Sequence, residues 1–259
     1  MFYFSLTDWA RPAAGGSFMG LDNYRRLLHD DRFLIALRNT AIQVAISLPG
    51  VIIGGLVLGY VLSRRFRGFS LYRSVFFFPS VMSVAAIAVI FGGLFSPRGA
   101  INTLLDAVGL GAHTQAWLVQ PSTALPIVIA VDFWFGLGFY AVLFSAALGD
   151  VPNELHDAGR VDGATEWQLL WRVGVPYIRG FIGVAAMLHF LWILLGSAQN
   201  VLLLTEGGPN NASLTLGYYM YQLSFRGSQI AYGQTVGVVL FVTGAVGALV
   251  IRRVLRRQF

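Results

Sequence analysis

Five long apolar runs dominate the chain and predict membrane-spanning helices. Each run is 24 to 28 residues long, and about 20 apolar residues are enough for a helix to cross the hydrocarbon core. Four runs contain no Asp, Glu, Lys or Arg, and the remaining one contains Asp132 alone. The runs are Asn39 to Ser63, Ser74 to Pro97, Ser122 to Gly149, Gly180 to Thr205 and Gly227 to Ile251. We therefore expect an all-α membrane protein with five full spans.

The composition agrees with a membrane protein and excludes several other classes. Hydrophobic residues make up 56% of the chain and charged residues 12%, whereas a soluble domain has about 25% charged residues. The 30 glycines fit as well, since glycine is commoner in membrane helices than in soluble ones. The absence of cysteine excludes a disulfide framework, a thiolate metal site and a cysteine nucleophile.

The arginines predict the orientation of the spans. All 18 cationic residues are arginines, of which eleven fall in one set of loops and seven in the other. Because cytoplasmic loops carry more arginine, the C-terminus and the loop 151–176 should be cytoplasmic, and the stretches 8–38, 98–121 and 206–226 external. Two clusters beside span ends agree, although anchoring to lipid headgroups would explain them equally well: Arg64, Arg65 and Arg67, and Arg252, Arg253, Arg256 and Arg257. This distribution argues against nucleic-acid binding despite the net charge of +6.

The start of the chain raises the question of a further span. An odd number of spans places the N-terminus outside, with no preceding segment to carry it there. Residues Met1 to Leu6 are too short to cross a bilayer and lack the positive charge of a secretory signal. We therefore expect a functional form with one more N-terminal span, and a single membrane domain over residues 1–259.

The loop 151–176 is predicted to form a helix–turn–helix on the cytoplasmic surface. Pro152 suits a first helical turn, Gly163 can take a positive φ between the two helices, and Pro176 should end the second. Four mostly small residues follow the spacing of one helix face, namely Leu155, Ala158, Gly159 and Asp162. Such a face allows another protein to approach closely, which predicts a docking element.

The same loop carries a long motif. It reads Glu154-Leu-His-Asp-Ala-Gly-Arg-Val-Asp-Gly-Ala164, followed by Trp167-Gln168 and closed by Pro176. This motif resembles the Glu-Ala-Ala (EAA) loop of permease subunits of binding-protein-dependent ABC importers. In that family the loop is the coupling helix, which inserts into a groove of the ATPase subunit. The resemblance implies an ATPase-coupling role for Glu154, Leu155, Asp157, Ala158, Gly159, Asp162, Gly163 and Ala164.

The motif departs from the family pattern at several positions. These departures affect the expected geometry of the contact with the ATPase subunit, and not the assignment to the family. Asp157-Ala158-Gly159 stands where Glu-Ala-Ala is usual, and Leu169, Leu170 and Gly174 stand where Arg, Phe and Thr are usual.

Two further stretches are similar to the carbohydrate permeases, the subgroup of the maltose and glycerol-3-phosphate transporters. Leu204-Thr-Glu-Gly-Gly-Pro209 resembles the segment after their penultimate span. Near the front, Ser5-Leu-Thr-Asp-Trp9 and Gly20-Leu-Asp-Asn-Tyr24 resemble the end of their first helix and the start of the first external loop. The resemblance implies a MetI-like helical bundle whose first family helix is missing here. It also implies a second permease subunit, two ATP-binding subunits and a periplasmic or lipid-anchored solute-binding protein as partners, besides membrane lipid.

Polar residues at membrane depth are the candidates for the substrate path. Asp132 lies about ten residues into its run, or about 15 Å deep, where a charge faces a bundle interior or a water-filled path. It could line the path, pair with another helix or relay protons. On the penultimate span, where the family carries substrate contacts, Ser197, Gln199 and Asn200 could pair with sugar hydroxyls.

Aromatic rings could cover the apolar face of a sugar, with ordinary packing as the alternative interpretation; they are Trp134, Tyr140 and Trp192. The four histidines show no ligand spacing, so no metal site is predicted. No cofactor is expected on this chain either. ATP and Mg²⁺ would bind to the partner ATPase subunits, because the chain has no lysine and so no phosphate-binding Gly-x-x-x-x-Gly-Lys-Ser/Thr motif.

These observations favour the permease subunit of a carbohydrate ABC importer in the bacterial inner membrane, working by alternating access, and not an enzyme. A permease for a non-sugar solute is the alternative within the same class. An ion-coupled secondary carrier or channel would show inverted repeats and more ionisable groups within the membrane. A membrane enzyme would need a set of catalytic side chains at suitable spacing, which the sequence lacks.

Overall fold

A computed structural model describes residues 1–9, 16–64 and 69–255, and the regular elements in these ranges are helical. Residues Thr7 and Phe18 form an isolated β-bridge. The α-helical segments are α1 (Asp22–Leu28), α2 (Asp31–Ser63), α3 (Phe69–Val81), α4 (Val84–Leu94), α5 (Ala100–Ala107), α6 (Pro121–Gly149), α7 (Asn153–Val161), α8 (Glu166–Leu169), α9 (Val175–Tyr177), α10 (Arg179–Leu191), α11 (Ala198–Leu204), α12 (Leu216–Tyr221) and α13 (Ile230–Leu255). The predicted all-α class is confirmed. Arg65, Arg67, Arg256 and Arg257 lie outside the described residues.

Shorter turns join several of these helices. Single 3₁₀ turns occur at Phe4–Leu6, Gly111–His113 and Trp117–Val119, and π-helical turns at Leu170–Gly174, Trp192–Gly196 and Gln222–Arg226. A π turn widens the helix by one residue and is frequent at functional positions.

The spans agree with the hydropathy prediction, with one difference. Four helical stretches in the described residues are long and apolar enough to cross a membrane: α2, α6, Arg179–Gly196 and α13. The fifth predicted run is a bent pair, Ser74–Val81 and Val84–Leu94, and the total reaches five when this pair counts as one span. The break is local in origin, because the Ser83 hydroxyl accepts the N–H of Ala86 at 3.2 Å and caps a new helix.

The chain divides into two compact units. The first comprises Met1–Ala45, Ser83–Asp132 and Leu191–Val246, and the second comprises Ile46–Met82, Phe133–Phe190 and Gly247–Phe259. Three long helices, α2, α6 and α13, contribute residues to both units. That residues 1–259 act as one permease domain stays a prediction.

Close approach of α2 and α6 builds the core of the second unit. A Cβ atom at Gly59 would lie 2.8 Å from the carbonyl oxygen of Ala141, so a larger residue there would separate the helices. The Gly55/Gly59 pair therefore acts as the small-residue contact that its spacing predicts. The apolar side chains beyond it are fully buried and continue into the loop 151–176, as Phe144, Leu169 and Leu170 show.

Candidate coupling loop and buried polar cluster

The loop 151–176 folds as two helices joined at a glycine. Helix α7 ends at Val161, α8 begins at Glu166, and Gly163 between them has a φ of +79°, which confirms the predicted positive φ. Thr165 caps α8 with its hydroxyl while Gln168 bonds back to the Thr165 N–H, a reciprocal capping box that fixes where the second helix starts.

The two prolines of the loop sit differently from the prediction. Pro152 precedes the first residue of α7 in an extended conformation with ψ of 135°, so it caps the helix from outside its first turn. Pro176 does not end the second helix, because the backbone continues through the π turn Leu170–Gly174 and a short helix to Tyr177. Pro176 lies within the short helix Val175–Tyr177 that follows the π turn.

Most of the predicted coupling residues are exposed. Glu154, Leu155, Asp157, Ala158, Asp162 and Gly163 belong to this exposed set. Val161, which the sequence analysis did not single out, is 88% exposed on the same helix. Together with Leu155, which is 44% exposed, it gives α7 two solvent-exposed apolar side chains.

Two of the predicted coupling residues are half-buried and serve the loop itself. A Cβ atom at Gly159 would lie 2.6 Å from Cδ2 of Leu169, and Ala164 is next nearest at 3.9 Å. Gly159 thus allows α7 to pack against α8, which differs from the expectation that it shares the open face with Leu155 and Ala158.

A cluster of charged and hydroxyl groups ties the loop to the end of α2. The Glu166 carboxylate accepts hydrogen bonds from Tyr60 at 2.7 Å, from Arg64 at 2.5 Å and from Arg160 at 3.2 Å. The Arg64 guanidinium also lies over the Tyr60 ring, 4.4 Å from its centre. The Tyr60 hydrogen bond, aided by both arginines, lowers the pKa of Glu166, although partial burial opposes the shift. Sequence reasoning missed this cluster, since nothing in the spacing relates Tyr60 to Glu166.

His156 anchors the inner side of α7. Its side chain is buried, with 7% exposed. Burial lowers its pKa below the ordinary value of 6.5, and the nearby positive charge of Arg64 lowers it further, so the neutral form of the ring is favoured.

A second polar cluster lies inside the first unit. Asp132 is fully buried and accepts hydrogen bonds from the side-chain amides of Gln43 and Asn200. Ser197 is also fully buried and donates to the carbonyl of Ile193 at 2.6 Å, while its hydroxyl lies 3.5 Å from Oε1 of Gln43. The structure therefore brings together three predicted path residues and adds a fourth residue, Gln43. Its polar side chain within an apolar run of the sequence could have indicated a buried polar contact.

The other two predicted path residues, Gln199 and Tyr140, have different surroundings. Gln199 is exposed, unlike its neighbour Asn200. Tyr140 belongs to the second unit, where it is buried and meets the His189 ring edge to face with centres 5.2 Å apart. Tyr140 thus packs against a second aromatic ring, as the alternative interpretation stated.

Helix α2 also holds the segment that follows α11. The Asn39 amide donates to the backbone carbonyls of Asn211 at 3.3 Å, Ala212 at 3.0 Å and Leu214 at 2.9 Å. The next residue, Thr40, accepts the N–H of Leu216 at 2.9 Å. Two neighbouring polar side chains of α2, Asn39 and Thr40, thus hold the segment between α11 and α12.

Comparisons with known proteins agree with this architecture. The probable ABC transporter permease protein YurN of Bacillus subtilis is 34% identical over 255 residues, which are 95% of this chain and 86% of the relative. The diacetylchitobiose uptake system permease protein NgcF of Streptomyces coelicolor is 33% identical, over 92% of this chain and 70% of the relative. A crystal structure of the bacterial alginate ABC transporter, in complex with an alginate pentasaccharide-bound periplasmic protein, has the same fold. The two structures superpose with a TM-score of 0.83, and their sequences are 24% identical. The match covers 93% of this chain and 85% of the chain in the alginate transporter.

A family model covers most of the chain, residues 35–258, and includes both clusters and the whole coupling loop. The resemblance drawn from the loop motif is thereby confirmed, as is the class of a multi-pass transporter permease. The chain belongs to the family of binding-protein-dependent transport system inner membrane components.

Proposed function

We propose that the chain is one of two permease subunits of an ATP-driven importer, and that it forms half of the path for a sugar or sugar-like solute. The observation that carries the proposal is the exposed helix–turn–helix from Asn153 to Leu169, which presents the family motif and is bonded to α2 through Glu166. The motif residues Glu154, Leu155 and Asp157 on this element are exposed, so a partner protein can reach them.

The carbohydrate class is supported by the relatives. NgcF is named for diacetylchitobiose uptake, and the structural neighbour is a transporter for alginate whose periplasmic protein carries an oligosaccharide. We propose that a solute-binding protein likewise delivers a saccharide to the external face of this chain and its partner permease.

ATP and Mg²⁺ belong to two separate ATPase subunits in this proposal. Closure of those subunits would move the loop 151–176 and drive the spans between outward-open and inward-open states. The loop and the C-terminus then face the cytoplasm, in the inner membrane, as the arginine distribution predicts.

The Asp132 cluster most directly supports a structural role beside the path. Both carboxylate oxygens of Asp132 are engaged by amide donors, and the three predicted residues of the cluster are at most 2% exposed. We propose that Asp132, Ser197 and Asn200 hold the helices that frame the path. Gln199, which is exposed beside them, is the stronger candidate for contact with a solute.

Transport by the purified complex tests this function. The chain is purified with the ATPase and solute-binding proteins that accompany it, reconstituted into vesicles and supplied with radiolabelled oligosaccharides. Uptake should require ATP on the loop side and should survive a protonophore. Uptake that collapses with the protonophore and ignores ATP would instead identify a secondary carrier, and ATP-dependent uptake restricted to non-sugar solutes would correct the solute class alone.

A further inference from the structure

The cytoplasmic end of α2 and the coupling loop meet at one carboxylate. Glu166 is the first residue of α8, and it accepts bonds from two residues of the α2 end, Tyr60 and Arg64. From the other side of the loop, Arg160 of α7 reaches its second oxygen. A single side chain therefore joins both helices of the loop to a span.

We infer that Glu166 is a positioning residue that makes the end of α2 move with the coupling loop. This inference rests on the proposed function and adds a named route by which loop motion enters the membrane. The Glu166 carboxylate, Tyr60, Arg64 and Arg160 are called the α2 latch below.

The geometry of the latch favours a contact that passes motion of the loop to the end of α2, and not an ordinary surface ion pair. An isolated exposed pair contributes little, because water and salt screen it and both side chains are free to leave. In the latch three donors converge on one carboxylate, and the Tyr60 ring is buried, with 7% exposed, under the guanidinium of Arg64. Charge-assisted bonds from several directions fix the position of the carboxylate as well as its charge.

The latch lies at the solvent-exposed side of the loop, next to a buried core. Residues Leu169 and Leu170 beyond Glu166 are fully buried in the core of the second unit. Glu166 itself has a 59% exposed side chain, and a cavity of about 580 Å³ borders the latch between Val61 and Trp167. A substitution that removes the latch contact can therefore leave this core intact.

The test measures coupling and not assembly. The reconstituted complex of the chain with its partner subunits is assayed for binding-protein-stimulated ATP hydrolysis and for uptake in the same vesicles. Glu166→Gln keeps the shape of the side chain and removes its charge. We expect uptake per ATP hydrolysed to fall by about fivefold or more, the lower end of common coupling effects, while the complex still assembles.

A second glutamate–arginine ion pair, which does not involve the coupling loop, provides a matched control. Glu206 forms an ion pair with Arg226 at 3.0 Å and has a 66% exposed side chain, so Glu206→Gln removes a comparable pair elsewhere. Its uptake per ATP should equal that of the wild type. Glu166→Asp keeps the carboxylate, so its uptake per ATP should stay above that of Glu166→Gln.

A distance measurement reads the latch directly. Because the chain contains no cysteine, Val61→Cys and Val161→Cys place two spin labels at exposed positions, with native partner cysteines blocked beforehand. The distance between the labels should stay constant between nucleotide-free and ATP-bound complexes, and should change with ATP once Glu166→Gln is added.

The outcomes separate the inference from the function beneath it. A wild-type complex without ATP-dependent uptake would contradict the proposed function itself. A wild-type complex that transports normally, alongside a Glu166→Gln complex with an unchanged uptake ratio and unchanged label distances, would overturn the latch alone. If Glu166→Gln fails to assemble, Tyr60→Phe decides in its place: removing one hydroxyl should lower the uptake ratio, and a wild-type ratio would reject the inference.

Discussion

The side-chain amide of Asn200 donates a hydrogen bond to the carboxylate of Asp132, and both residues are shielded from solvent inside the first unit. Because of this hydrogen bond, a substitution at either position should affect the stability of the protein as well as transport. A side chain that lines an open path can be replaced with a loss of transport alone, whereas one that satisfies a buried carboxylate also contributes to stability.

Asn200→Leu should therefore destabilise the protein. Removing the donor leaves one oxygen of Asp132 unpaired in a buried site, which costs about 1–3 kcal/mol. We expect a lower midpoint of thermal unfolding for the purified complex in detergent, together with reduced uptake.

Gln199→Leu is the control for this prediction, since it makes the same change at the exposed neighbouring position. Its unfolding midpoint should match the wild type, and any defect should appear in solute uptake. Equal thermal stability of the two variants would show that the Asp132 cluster does not hold the helices together.

Asn39→Ala should loosen the segment between α11 and α12. The Asn39 amide is 5% exposed and donates to three backbone carbonyls between Asn211 and Leu214, and buried carbonyls left without a donor cost about 1–3 kcal/mol each at most. The Asn211 carbonyl keeps the Leu214 N–H as a donor at 3.1 Å, so the loss falls on Ala212 and Leu214. Hydrogen exchange of the backbone amides in residues 205–216 should become faster.

The exposed neighbour Arg38 supplies the comparison. Arg38→Ala should leave exchange in residues 205–216 unchanged. If the two variants exchange alike, the loop is held by its internal bonds, such as the one from the Ser213 hydroxyl to the carbonyl of Gly208 at 2.7 Å.

The latch should withstand changes of pH near neutrality. Its partners hold the pKa of Glu166 below the ordinary value of 4.5, so the folded state keeps the carboxylate ionised more readily than the unfolded chain does. The stabilisation is therefore fully present above the ordinary value and is lost only as the pH falls through the lower, folded-state pKa.

A pH series of thermal unfolding checks this sign. The difference in unfolding midpoint between the wild type and Glu166→Gln should be constant from about pH 6 to pH 8, and should shrink below about pH 4 as the native carboxylate becomes protonated. A difference that shrinks on raising the pH above 6 would mean that the carboxylate is not stabilised by its arginine and tyrosine partners.

The spans and the helix–turn–helix of the loop 151–176 could be predicted from the sequence because their signals are local. Runs of uncharged residues give the helices, and the motif from Glu154 to Ala164 gives the loop and the positive φ of Gly163. The break at Met82 and Ser83 was missed, since hydropathy is indifferent to a serine that caps a new helix within an apolar run.

The site details depend on contacts between distant residues, which a single sequence does not show. Gln43 and Asp132 are 89 residues apart in the chain, and Tyr60 and Glu166 are 106 apart. Polarity at membrane depth indicated that Asp132 and Asn200 need partners, but not that they are partners of each other. The side on which Gly159 lies was likewise decided by the packing of Leu169.

Gly163 offers the sharpest test of the coupling loop, because a substitution there strains the backbone without crowding a neighbouring atom at Cβ. A Cβ atom at this position would meet no neighbour within 4 Å, yet the φ of +79° is one that β-branched residues avoid. Gly163→Val should therefore cost about 1–3 kcal/mol of backbone strain without any steric clash. The strain can be relieved by relaxing the turn, which would misplace Leu155 and Ala158 relative to an ATPase groove.

Gly163→Asn separates the two explanations at the same site, since asparagine tolerates the left-handed conformation far better than valine. We expect binding-protein-stimulated ATP hydrolysis and uptake to fall together in the valine variant and to remain near wild type in the asparagine variant. Equal losses in both would mean that bulk at the ATPase contact, and not backbone conformation, limits this position. Full stimulated activity in an assembled Gly163→Val complex would show that the turn does not transmit ATPase motion, because a distorted turn cannot carry the loop into the groove in its native geometry.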